Sequence, residues 1–312
     1  MERAEAPGAG APVDDTDIGA LRDAVERAVD DPAERAVAVE RLGRALYRVE
    51  RHREGLASAT AAAGLYREAG DEPAAARASA LAGLLLAALG RDDESFRRLA
   101  MARDDFETIG GHAVDVAMCS RAGADALHRL GRPDDAYQEL LFARAKFEAA
   151  GRPVSVARCD HDLGILLHEL GVPEEALEMF TRARKGFLAE RFPEGVAACD
   201  FNLGFVLQEL AAFDDAVECL QLARGIFEAT DRQHEVAACN QNLAAVLWDM
   251  GRDAEAASRL EDALGLYDQL GDTASVVECE QNLAMTSQAE HVSGPTRAVP
   301  SPGLASPSGS FA

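Results

Sequence analysis

The sequence predicts an all-α solenoid, and three observations predict it. First, a small residue recurs about every forty positions, at Gly43, Gly83, Ala124, Gly164, Gly204, Ala244 and Ala284. Further columns keep that register: Gly55, Ser95, Ala136, Ala176, Ala216 and Ala256; then Ala62, Ala102, Ala143, Ala183, Ala223 and Ala263; then the aromatics Tyr66, Phe106, Phe147, Phe187, Phe227 and Tyr267. One extra residue near Gly110-Gly111 is the only slip. Second, each period holds two apolar stripes at helical spacing, such as Cys199, Leu203, Leu207, Leu210 and then Ala216, Leu220, Ala223, Phe227. Third, turn residues separate the stripes, as in Gly131-Arg132-Pro133 and Gly171-Val172-Pro173.

The elements follow in chain order. A leading helix is expected over about residues 17–29, six helix–turn–helix repeats over about 31–271, and a closing helix over 273–289. Pro32, Pro73, Pro153 and Pro193 open first helices, where a missing N–H costs nothing. Gly131 and Gly171 suit the left-handed end of a first helix. Acidic pairs such as Asp134-Asp135 and Glu174-Glu175 then meet the positive end of the next helix dipole. No repeat can bury its stripe alone, so neighbours must stack. Residues 1–16 and the Pro/Ser/Gly-rich tail 291–312 carry no stripe and are expected to be disordered, leaving 17–290 as the solenoid.

Asn202-Leu203-Gly204, Leu207, Ala216, Leu220 and Ala223, with their copies, resemble the tetratricopeptide repeat family. Leu207 stands where that family often has Tyr. The forty-residue period is similar to the longer repeats of kinesin light chains and of some bacterial regulators. The resemblance implies a right-handed superhelix whose first helices line a concave groove, and a scaffold that binds peptides or other proteins.

Cysteine falls at 119, 159, 199, 239 and 279, where the first two repeats have Ala38 and Ala78. Cysteine therefore serves as a small buried apolar residue there. Equivalent positions of stacked helices lie about 10 Å apart, whereas a disulfide needs Cα atoms within about 7 Å. Cys219 lies on a second helix and is expected to be inert too.

A second pattern lies on the first helices of the C-terminal half: His161, Ile165, His168; Phe201, Phe205, Gln208; Gln241, Ala245, Trp248; and Gln281. Beside it runs a polar ladder, Asp162, Asn202, Asn242 and Asn282. An Asn amide donates and accepts, so it can hold a peptide backbone in both directions. By the resemblance these residues line the groove, with exposed Phe201, Phe205 and Trp248 expected as apolar anchors. The same residues also fit packing between repeats, self-association, a sensor of a signal peptide, or a regulatory subunit of a neighbouring enzyme or transcription regulator.

The formal charge of -23 disfavours nucleic acid and anionic membranes as partners and favours a basic one. Only Lys146 and Lys185 are lysines among 31 Lys and Arg, which suggests a GC-rich bacterial genome. No secretory leader is visible, and reduced thiols fit a cytoplasmic setting. No phosphate-binding glycine loop, His-Glu-x-x-His or nucleophile-elbow motif occurs, so no enzyme, metal or cofactor is expected. His161 and His168 are two helical turns apart, about 10 Å, and His128 is a repeat away, too far to share one ion.

Overall fold

The computed structural model describes residues 15–28 and 30–289. Among them are fourteen helices and no strand. They are α1 (Asp15–Arg27), α2 (Pro32–Arg48), α3 (His52–Glu68), α4 (Glu72–Ala88), α5 (Asp92–Ile109), α6 (Ala113–Arg129) and α7 (Pro133–Ala149). There follow α8 (Pro153–Glu169), α9 (Pro173–Ala189), α10 (Pro193–Glu209), α11 (Phe213–Ala229), α12 (Gln233–Asp249), α13 (Asp253–Leu270) and α14 (Thr273–Ala289). The leading helix starts two residues earlier than expected, so Asp15 and Thr16 are helical; the rest of the segments 1–16 and 291–312 lies outside the described residues.

The chain divides after Arg152 into two compact units. The first holds α1 and the pairs α2–α3, α4–α5 and α6–α7; the second holds α8–α9, α10–α11, α12–α13 and the closing α14. Within each unit every helix packs on its neighbour in sequence. First helices also touch one another, α2 on α4 on α6 in one unit and α8 on α10 on α12 in the other. The fold is an all-α repeat solenoid of six helix pairs with a helix at either end.

The small columns set the helix spacing. A Cβ on Gly164 would stand 2.7 Å from the Phe180 ring, and one on Gly83 would stand 2.7 Å from Leu99 Cγ. Each glycine thus forms the floor on which a large side chain of its partner helix rests. Ser95 Oγ donates to the Gly83 carbonyl over 2.8 Å at the same contact. Phe106, Phe147, Phe187, Phe227 and Tyr267 are all buried; within the two units, Phe106, Phe187, Phe227 and Tyr267 cluster with residues of the helix that follows.

The turns behave as their residues dictate. Gly171 takes φ +76°, while its N–H and that of Val172 close on the carbonyls of His168 and Leu167. Arg191, Ala211 and Asp231 adopt the same left-handed conformation at three further turns of this unit, and Gly251 and Gly271 at the last two. A side chain there costs about 1–2 kcal/mol, which the same pair of backbone bonds offsets. At the helix starts a device appears that the acidic pairs only hinted at. Arg51, Arg91, Arg132, Arg232 and Arg252 stand at N-caps and bond the acid three residues on: Glu54, Glu94, Asp135, Glu235 and Glu255.

The cysteine column is buried at all five positions, and Cys219 is half-buried. Burial pushes the Cys119 thiol up to about 12 and those of Cys219 and Cys279 up to about 11.

Candidate functional site

The candidate residues lie on four helices of the second unit: His161, Asp162 and His168 on α8; Phe201, Asn202, Phe205 and Gln208 on α10; Gln241, Asn242 and Trp248 on α12; Gln281 and Asn282 on α14. Because α8 touches α10 and α10 touches α12, the first three groups follow one another along one row of first helices, which the resemblance makes the inner row.

This row is more buried than the sequence suggested. Phe201, Phe205 and Trp248 are 6%, 8% and 6% exposed, so the expectation of exposed aromatic anchors is corrected. The reason is the close approach of the first helices. A side chain opposite the apolar stripe of its own pair meets the first helix of the next pair. Phe201 accordingly joins a cluster with Val236, Cys239 and Leu243 of α12, and Trp248 one with Cys279 of α14. Asn202, Asn242 and Asn282 are buried as well, Asp162 and Gln208 are half-buried, and Gln281 is exposed.

Hydrogen bonds one repeat apart lace the row together. Asn202 Nδ2 lies 3.0 Å from His161 Nε2. The His161 ring stands edge-on to Phe180, with centroids 5.5 Å apart. His168 Nε2 lies 2.9 Å from Glu209 Oε2, and its ring stands edge-on to Phe205 at 5.1 Å. Gln208 Nε2 donates to Asp249 Oδ2 over 2.6 Å. Within one pair, Tyr267 of α13 donates from its hydroxyl to Gln241 Oε1 over 3.3 Å.

These bonds leave a remainder. Asn202 Oδ1 and Gln241 Nε2 are buried and have no hydrogen-bond partner. They are an acceptor and a donor on adjacent helices of one row. A buried polar group without a partner costs about 1–3 kcal/mol.

Sequence reasoning also missed an ion pair of a half-buried arginine with a buried acid. Asp200, next to Cys199, bonds Arg184 of α9 through the guanidinium Nε. Burial pushes the Asp200 carboxyl up, and the Arg184 hydrogen bond opposes that shift. The sixteen-residue spacing from Arg184 to Asp200 was the available signal, but charged residues do not register in an apolar periodicity.

Among the described residues no group of three His, Cys, Asp or Glu gathers as a metal site. Among them, too, no helix is long and apolar enough to cross a membrane.

Residues 196–269, which span α10 to α13, match the family model of the tetratricopeptide repeat. Solved structures are similar across most of the chain. The aspartyl phosphate phosphatase F from Bacillus subtilis superimposes with a TM-score of 0.63 at 13% identity, covering 88% of this chain and 77% of that one. A Rap conjugation gene regulator of the plasmid pLS20, solved in complex with the Phr* peptide, gives 0.56 at 17% identity, covering 83% and 73%. The nearly identical tetratricopeptide-like repeats of a Podosopora anserina putative kinesin light chain give 0.54 at 18% identity, covering 64% and 97%. At such identities the likeness is one of fold. No curated protein matches the chain in sequence.

Proposed function

We propose, starting from a chain that is a tetratricopeptide-type repeat solenoid, that it is a non-catalytic adaptor which captures a peptide segment along the inner row of α8, α10 and α12. One observation carries the reading: Asn202 Oδ1 and Gln241 Nε2 are buried and unpartnered on neighbouring helices of that row. A peptide backbone offers the complementary N–H and C=O. The Rap regulator solved with a peptide has the same fold and adds support by analogy.

Burial of these atoms sets the manner of binding. A ligand reaches them only when the inner row opens, and the bonds His161–Asn202, His168–Glu209 and Gln208–Asp249 are what such opening would break. Each is a single bond worth about 0.5–1.5 kcal/mol net, or somewhat more where a charge takes part. Ligand contacts can offset that. Capture and a change of shape in this unit therefore go together, which favours a second reading as a peptide sensor. With a formal charge of -23, a basic peptide is the favoured ligand.

The test is calorimetric. Peptides selected on the full chain from a random library with blocked C-termini are titrated into wild type, Asn202→Ala and Gln241→Ala, with circular dichroism confirming folding. At least tenfold weaker binding by both variants supports the reading. Unchanged affinity in both refutes it.

A further inference from the structure

The row of first helices in the first unit is open where its counterpart in the second is closed. Counted from Gly83 and Gly204, Leu81 and Leu84 of α4 hold the places that Asn202 and Phe205 hold on α10. Asn202 and Phe205 are 1% and 8% exposed, whereas both leucines are half-buried. The neighbouring side chains explain the difference. Long polar groups lace the second unit's row, through His161–Asn202, His168–Glu209 and Gln208–Asp249. On α4 the places of His161 and His168 fall to Ala80 and Ala87, which are too short to bond a neighbouring helix. The two leucines are left as an apolar floor on the helix between α2 and α6. Val37 of α2 and Met118 of α6, 42% and 52% exposed, extend that surface to either side.

Arginines frame the floor. One stripe of α2 carries Arg41, Arg44 and Arg48, and Arg77 stands one turn before Leu81 on α4. The acids on the same faces are Glu40 and, at the start of α2, Glu34. Glu40 is already engaged, by Arg44 at 2.7 Å and by the Tyr66 hydroxyl at 2.7 Å. Glu34 lies two turns, about 10 Å, before Arg41 along the helix. Arg41, Arg48 and Arg77 form no ion pair with another described residue. On a chain of formal charge -23, this face is one that attracts carboxylates.

We infer that this face of α2 and α4 receives an amphipathic helix of a partner protein, its apolar side chains on Leu81 and Leu84 and its acidic ones on Arg41, Arg48 and Arg77. The spacing suits such a ligand. Arg41 and Arg48 are two turns apart, so a helix lying along α2 meets them with acids seven residues apart. Apolar residues at the intervening i+3 and i+4 places then fall on the leucines. Unpaired guanidinium groups gain most from carboxylates, through charge-assisted hydrogen bonds. A nucleic acid would use the arginines, leave the leucines uncovered, and be repelled by the chain as a whole. The first unit thus selects acidic segments, the opposite of what the overall charge favours.

The test uses the full chain and a fluorescein-labelled, C-terminally amidated peptide of three Glu-Ala-Gln-Leu-Leu-Gln-Ala repeats, read by fluorescence anisotropy. Its acids recur every seven residues with leucines between them. Controls replace every Glu by Gln, every Glu by Lys, or every Leu by Ser. The parent peptide is expected to bind at least tenfold more tightly than each control. Arg41→Glu/Arg77→Glu should weaken it at least tenfold, and so should Arg41→Glu/Arg48→Glu, whose two sites are exposed and leave the fold intact. Asn202→Ala should bind it as wild type does, which separates this site from the row of the second unit. Failure of the parent peptide to bind at millimolar concentration overturns the inference. Equal binding of the Glu and Gln peptides does so too, as does wild-type affinity in either arginine variant. Loss of binding in Asn202→Ala would place the peptide on the second unit and overturn it as well.

Discussion

Asn202 of α10 and His161 of α8, forty-one residues apart, meet through Asn202 Nδ2 and His161 Nε2 at 3.0 Å. Both side chains are buried, and the histidine is also held edge-on to Phe180. The bond ties consecutive helix pairs of the second unit at their inner row. Removing one partner leaves the other buried and unsatisfied. His161→Phe, which leaves the Asn202 amide in place with neither atom partnered, should therefore lower stability by about 1–3 kcal/mol, measured by urea denaturation. A loss within a few tenths of a kcal/mol would mean that water reaches Asn202 at no cost.

Two glycines of the second unit should respond in opposite directions to the same substitution. At Gly164 a Cβ would stand 2.7, 2.8 and 2.9 Å from three atoms of the Phe180 ring. Overpacking of this kind costs about 1–3 kcal/mol, which outweighs the helix-propensity gain of about 1 kcal/mol. At Gly225, in the middle of α11, nothing lies within 4 Å. Gly164→Ala should therefore lower the melting temperature and Gly225→Ala raise it, a contrast that one calorimetric scan of each variant reads directly.

Acid should unfold the chain partly through its helix starts. The Arg51, Arg91 and Arg252 hydrogen bonds hold Glu54, Glu94 and Glu255 below the usual carboxylate range. A lowered folded value means stability that is present above the unfolded value, about 4.3, and lost as pH falls below it. Asp200 works in the other direction. Burial raises it, so its contribution is lost as pH rises from about 3.9 through its folded value. The melting temperature should fall on going from about pH 5 to about pH 3. The triple variant Arg51→Gln/Arg91→Gln/Arg252→Gln should show a shallower fall, and an unaltered slope would refute the assignment.

The thiols should be slow to react. Burial raises Cys119, Cys199, Cys219, Cys239 and Cys279 above the ordinary thiol value, leaving little thiolate at neutral pH. Cys219 is the half-buried one. Iodoacetamide followed by mass spectrometry should modify Cys219 first in the native chain and all six cysteines once urea is added. Rapid native labelling within the forty-residue column would show that those helices open freely.

Much of the fold was legible because a stacked repeat imposes the same contact again and again. The Gly164–Phe180 contact, the aromatic column from Tyr66 to Tyr267 and the buried cysteines all recur at fixed spacing, so each copy corroborates the others. The accessibility of the inner row was not legible. Helical periodicity marks the stripe that faces a helix's own partner, and Phe201 and Trp248 lie off that stripe. What covers them is contributed by the neighbouring pairs, a long-range fact absent from any local pattern. Leu207 shows the converse: it lies on the stripe yet is only partly buried, whereas Val206 beside it is fully buried. Leu220, also fully buried, is the better place to expect a large-to-small cost of about 2–5 kcal/mol. The unpartnered atoms of Asn202 and Gln241 depend on which neighbours arrive, and residue type alone does not predict that.

The most direct test of peptide capture by the inner row is photo-crosslinking. A library-selected peptide with an amidated C-terminus carries a benzophenone at successive positions, is irradiated with the full chain, and the adducts are mapped by mass spectrometry. The account predicts adducts on α8, α10 and α12, displaced by excess unlabelled peptide. Displaceable adducts confined to α9, α11 and α13, or to residues before Pro153, would contradict it.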